Sequence, residues 1–284
     1  MTVSCQRLPK STVILTLNIP WSEVEKTYEK VIEQAIKEIE IKGFRRGKAP
    51  KKLAEKQLDK GKITQEVLSQ ILPQAYSQAI KEHDLKPITS PKIEVQQLSE
   101  NKDWVFKITV AEKPKIDLGN YQEEIKKAKK PTPKIWTPKQ KGKSDKDEDK
   151  KESPLAKVLE TLLKTVKIEL PDLLVENETN RLLAQTLGEI KKLGLTLESY
   201  LTSVGKTPET LRQEHQNQAE ETLKLEFILA EIAEKEEVSV EPPEIDEFIK
   251  KAPDDKTKKA LEGNRYYLAS VLRKQKTLDK LLNL

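Results

Sequence analysis

Residues 126–151 constrain the fold most, because no compact core can run through them. The stretch holds eleven Lys against four acidic residues, with Pro131, Pro133 and Pro138 and almost nothing apolar beyond Ile135 and Trp136. Too little apolar area is present to offset the entropy of ordering it. It reads as a flexible, semi-extended linker, with a nucleic-acid or nuclear-targeting tail as the functional alternative for such a charge run. The apolar periodicity on either side must then form separate cores. A length of 284 residues suits about two domains.

The front part reads as small α+β. Residues 3–8 and 12–19 are strands joined by a turn near Pro9–Ser11, and Val13, Leu15, Leu17 and Ile19 alternate along one face. Ser22 and Glu25 have capping-box spacing, and Val24, Tyr28, Val31, Ile32, Ala35, Ile36 and Ile39 recur at helical spacing. A short helix is expected over 51–59, broken by Gly61, and a longer one over 62–82 with a kink at Pro73. Strands are expected over 92–98 and 104–112, with Trp104, Phe106, Ile108 and Val110 on one face.

Between the first two helices lies Gly43-Phe44-Arg45-Arg46-Gly47-Lys48-Ala49-Pro50. Its glycines permit a sharp turn, and Pro50 suits the first position of a helix. From Lys42 to Lys52 there are six Lys or Arg and no acid. An aromatic ring flanked by arginines is a presented hook, able to bind carboxylate or phosphate. Charge runs the same way. Residues 1–153 carry 32 Lys or Arg against 23 acids, and 154–284 carry 20 against 24. The basic front is the part suited to a polyanion.

The octapeptide resembles the ribosome-docking signature of bacterial trigger factor, Gly-Phe-Arg-x-Gly-x-x-Pro. Gly43, Phe44, Arg45, Gly47 and Pro50 meet every fixed position, and Lys48 a commonly basic one. The strand and helix order of residues 1–118 is similar to that family's ribosome-binding domain. Ile116–Ile125 is similar to the extended connector leaving it, and Leu170–Glu178 to a joint in the family's C-terminal domain. The resemblance implies that Gly43, Phe44, Arg45, Arg46, Gly47, Lys48 and Pro50 grip a tunnel-exit protein and rRNA of the large ribosomal subunit. The family commonly inserts an FKBP-like prolyl-isomerase domain after the connector. Residues 126–151 cannot hold one, so a short form without isomerase activity is expected.

Residues 154–284 read as helices over 154–165, 172–193, 196–204, 208–236, 244–251 and 255–282, with extended joints at 168–171 and 238–240. The expected architecture is an α+β ribosome-binding domain (1–118), a connector and Lys/Pro-rich linker (119–153), and an elongated all-α client-binding domain with arm-like helices (154–284). Grooves between such arms suit apolar capture. The candidate lining is Phe227, Ile228, Phe248, Tyr266, Tyr267 and Leu268, for which ordinary helix core is the competing reading.

No phosphate-cradling Gly-rich motif and no nucleophile–histidine arrangement is visible, so neither nucleotide nor catalytic residues are expected. Single Cys5 and the distant His83 and His215 give no metal-ligand spacing; Cys5 reads as a small core residue and His215 as an exposed one. No apolar run spans a membrane and no signal peptide is apparent, which points to the cytoplasm. The reading is an ATP-independent chaperone, without cofactor or metal, that docks near the tunnel exit and shields nascent polypeptides. The alternatives are a general RNA-binding basic protein and a prolyl isomerase with an unrecognised site.

Overall fold

In the computed structural model, residues 1–39, 44, 50, 57–129, 153–252 and 254–284 are described. They divide into two compact units, Met1–Pro114 with Pro171–Leu174, and Lys115–Leu170 with Val175–Leu284.

The first unit is built on a four-stranded antiparallel sheet of order β1 (Thr2–Leu8), β2 (Thr12–Ile19), β4 (Trp104–Ala111), β3 (Lys92–Gln97). The β1–β2 hairpin turns through Lys10 and Ser11, both with positive φ. In β2, Val13, Leu15, Leu17 and Ile19 are buried, and β4 matches them with Trp104, Phe106, Ile108 and Val110. Helices α1 (Trp21–Glu38) and α2 (Lys60–Glu82) cover this face with Val24, Val31, Ile63, Val67, Ala75 and Ala79. Each fully buried large aliphatic or Phe there contributes about 1.5–3 kcal/mol.

Helix starts depart from the sequence reading in two places. Ser22 caps nothing: α1 starts at Trp21 after Pro20, without a side-chain cap. The Trp21 amide donates instead to Asp103 Oδ1 at 3.1 Å, a tertiary contact across 82 residues. Gly61 lies in the first turn of α2 rather than breaking a helix, because Asp59 caps that turn by accepting from the Gly61 and Lys62 amides. Helix α2 contains Pro73 and runs to Glu82, the end expected for it. The helix expected over 51–59 falls on residues 51–56, outside the described ones, for most of its length.

The second unit opens with β5 (Ile116–Asp117), which pairs antiparallel with β6 (Lys167–Ile168). Where an extended connector was expected, Tyr121–Lys129 forms helix α3. The Asp117 carboxylate accepts from the Gly119 amide at 3.1 Å, and Gly119 takes the left-handed conformation that leads into α3. Helices α4 (Pro154–Thr165), α5 (Asp172–Lys192), α6 (Leu197–Val204), α7 (Pro208–Lys235), α8 (Pro242–Lys250), α9 (Asp255–Gly263) and α10 (Arg265–Leu282) follow. The single helix expected over 255–282 is two, parted at Asn264. One core joins Leu118, Tyr121 and Ile125 to Val158, Leu162, Ile228, Ile232 and Leu281. A smaller one gathers Ile245, Ile249 and Leu268.

Candidate functional site

Helix α1 ends at Ile39, whose backbone is extended while its amide still bonds Ala35 O at 3.0 Å. Helix α2 begins at Lys60. Of the expected hook between them, Phe44 and Pro50 are described, and both are exposed. Phe44 sits in a bend with 44% of its surface open to water. The open part of the ring is available for contact. Gly43, Arg45, Arg46, Gly47 and Lys48 lie outside the described residues.

The same unit holds a cavity of about 250 Å³, lined by Trp21, Tyr28, Ile32, Leu58 and Ile63 with Lys60, Glu100 and Asn101. The Trp21 and Tyr28 rings pack at 6.3 Å, tilted by 46°. Lys60 Nζ donates to Glu100 Oε1 at 3.0 Å. That hydrogen bond, with the charge behind it, raises the Lys60 pKa. Sequence reading placed Tyr28 on the core face and passed over Trp21. Their spacing of seven puts both on one side of α1, which was the available signal. The contribution of Glu100 and Asn101 from the β3–β4 turn had no local signature.

In the helical unit the six expected client-lining residues separate. Ile228 and Leu268 are buried in the two helical cores and offer no surface. Phe227 is half-buried. Phe248 is exposed, Tyr266 is 92% exposed and Tyr267 69%. His215 is half-buried rather than exposed, with Nε2 at 3.1 Å from Thr186 Oγ1. Cys5 is half-buried against the sheet core.

A polar network that sequence reading missed joins α3 to the end of α7. Glu236 Oε1 accepts from the Tyr121 hydroxyl at 2.8 Å and from Gln122 Nε2 at 2.7 Å. Its other oxygen lies 2.7 Å from Lys280 Nζ. The Lys280 hydrogen bond, then that of Tyr121, holds the Glu236 carboxyl below the usual carboxylate range. Burial first, and then the bond to Glu236, pushes Tyr121 up to about 12. Among the described residues no group of three or more acidic, His or Cys side chains could hold a metal ion, and no helix is long and apolar enough to cross a membrane.

Residues 1–140 match the family model described as bacterial trigger factor protein, and residues 138–283 match that of the bacterial trigger factor C-terminus. The chain belongs to the bacterial trigger factor family. The two trigger factor matches meet at residues 138–140. The trigger factor of Pelotomaculum thermopropionicum is 33% identical over 123 residues, which is 43% of this chain and 28% of that protein. Those of Halalkalibacterium halodurans and Staphylococcus aureus are 32% and 33% identical over 122 residues, with the same shares. The alignment thus spans little more than a quarter of those relatives. A solved trigger factor chaperone, studied for promiscuous substrate recognition in folding and assembly, superposes with a TM-score of 0.66 at 17% identity, covering 100% of this chain and 99% of that one. At that identity the likeness concerns the fold, a small N-terminal sheet followed by helices, as the sequence reading expected.

Proposed function

We propose that this protein is an ATP-independent chaperone of the cytoplasm that docks on the large ribosomal subunit and shields nascent polypeptides. The observation that carries the reading is the Gly43–Pro50 sequence, which meets every fixed position of the family's docking signature and whose Phe44 is exposed. Phe44 supplies the apolar anchor. Arg45, Arg46 and Lys48 supply cations for acidic protein and rRNA, while Gly43, Gly47 and Pro50 shape the loop.

Client contact is assigned to exposed aromatics of the helical unit, Phe248, Tyr266 and Tyr267, which combine apolar area with little entropy to lose. Weak affinity, not hydrolysis, releases the client. No isomerase activity is assigned, because the two family matches meet without an intervening segment.

Ribosome co-sedimentation at several salt concentrations tests docking. The Phe44→Ala/Arg45→Ala/Arg46→Ala variant is expected to lose co-sedimentation while keeping its circular dichroism, and the wild-type interaction to weaken as salt rises. Undiminished sedimentation of the folded variant refutes the assignment. A proline-isomerisation assay on a short peptide is expected to stay at background. Catalysis proportional to added protein would reverse that part.

A further inference from the structure

The two edges of the four-stranded sheet differ in character. On β1, Val3 and Cys5 are half-buried against the core, and the intervening Thr2, Ser4 and Gln6 are polar. On β3, Ile93 and Val95 stand in register with Ile108 and Phe106, which are fully buried. They therefore share the helix-covered face, yet Ile93 is 42% and Val95 52% exposed. Ile88, whose amide bonds Ala111 O at 3.0 Å, and Leu98, just past the strand, are exposed as well. Lys92, Glu94 and Gln96 alternate with it, and Glu94 pairs with Lys107 of β4 at 3.3 Å.

An edge strand presents a row of backbone donors and acceptors. The ligand that satisfies such a row, and covers apolar side chains at every second position, is another extended polypeptide. The row leads to a receptor for one side chain. Glu100 and Asn101, two and three residues past Leu98, line the cavity together with Trp21, Tyr28, Ile32, Leu58, Lys60 and Ile63. Its volume of about 250 Å³ admits a bulky apolar side chain.

We propose that an extended apolar segment of an unfolded polypeptide adds to β3 as a fifth strand and seats one bulky side chain in the Trp21/Tyr28 cavity. That the segment belongs to a nascent chain rests on the function proposed above; the pairing itself does not. The register shift between Val95 and Gln97 interrupts the ladder. Pairing is thus confined to Lys92–Val95, with the cavity taking over beyond, and so short a ladder gives a contact that releases without an energy source.

The probe is a short dye-labelled peptide of alternating Thr and Val with one terminal Phe and Lys at both ends. Its twins carry N-methyl groups on alternate amides, or Ala in place of Phe. Binding to the full chain is followed by fluorescence anisotropy and by amide hydrogen exchange. The parent peptide is expected to bind and to slow exchange at Lys92–Val95. N-methylation, and the Ile93→Lys/Val95→Lys variant, should each weaken binding by at least about tenfold; the Ala twin should bind less tightly than the parent. Should that variant melt early, the N-methylated twin on wild-type protein decides alone. Equal binding of parent and N-methylated peptides, absence of protection at Lys92–Val95, or no binding of the parent overturns the proposal. The Phe44→Ala/Arg45→Ala/Arg46→Ala variant should bind the peptide like wild type, and the edge variant should still sediment with ribosomes, so that failure of docking and failure of strand addition are read separately.

Discussion

Glu236 shows how one side chain ties distant parts of the helical unit together. A single carboxylate takes hydrogen bonds from Tyr121 and Gln122 and faces Lys280. Its side chain is 20% exposed and that of Lys280 47%, so these charge-assisted bonds are only partly shielded from water. Because its pKa is lowered in the fold, its contribution is present above the unfolded value of about 4.3 and is lost as pH falls below it. Tyr121 runs the other way. Raised to about 12, it contributes fully below its ordinary value of about 10 and loses that contribution as pH climbs toward 12. Glu236→Gln should cost about 1–3 kcal/mol at neutral pH and should flatten the acid limb of stability. Thermal melts of both proteins from neutral to acid pH check this; parallel curves would show that the network carries none of the acid sensitivity. Nothing in the sequence announced the network. Tyr121 and Glu236 stand 115 positions apart, and each looks ordinary in its own helix.

At the scale of elements, what could be read was what repeats locally. The alternation in Val13–Ile19 and Trp104–Val110 gave strands because one face of each is buried. Thr196 and Gly205 bounded a helix because their chemistry acts within one turn. Thr196 and Ser199 form a capping box around α6, and Gly205 ends it with φ 64°. What could not be read was decided by partners far off, such as Asp103 holding the start of α1. Helix α3 escaped notice because its apolar face is only Tyr121 and Ile125, set among Lys126, Lys127 and Lys129. The hook was legible as a motif, whereas the Trp21/Tyr28 cavity needed the β3–β4 turn folded back onto α1. A methyl group at Gly205 would meet nothing within 4 Å. Gly205→Ala should therefore cost only the left-handed backbone term, about 1–2 kcal/mol. The loss should appear as faster amide exchange in α6, with α2 unaffected; unchanged exchange would mean that the turn relaxes freely.

For the whole molecule, the decisive question is where the helical unit begins. Composition places a boundary near residue 153, but the helical core draws on Leu118, Tyr121 and Ile125. Tyr121 and Ile125 are 1% and 0% exposed. Lys129 Nζ also donates to the carbonyls of Leu281 and Leu282 at 2.7 Å, where a cation suits the C-terminal end of α10. Three large apolar side chains at about 1.5–3 kcal/mol each amount to a sizeable part of the roughly 5–15 kcal/mol that holds a typical domain folded. A fragment of residues 154–284 should accordingly melt broadly and well below one of 115–284, and the longer fragment should alone give the dispersed amide spectrum of a fixed core. Equal melting temperatures would mean that α3 docks without stabilising its neighbours. The outcome bears on client capture. If residues 115–284 suppress aggregation of an unfolded protein as well as the full chain, the front unit serves mainly to localise the helices, and holding them near an emerging client raises their effective concentration. If the full chain is clearly better in free solution, where localisation gives no advantage, the first unit itself holds client, as strand addition at β3 requires. Repeating the comparison with the Ile93→Lys/Val95→Lys variant then decides whether that excess belongs to the sheet edge: the variant should fall to the level of the 115–284 fragment, and a variant as active as wild type would place the excess elsewhere in the first unit.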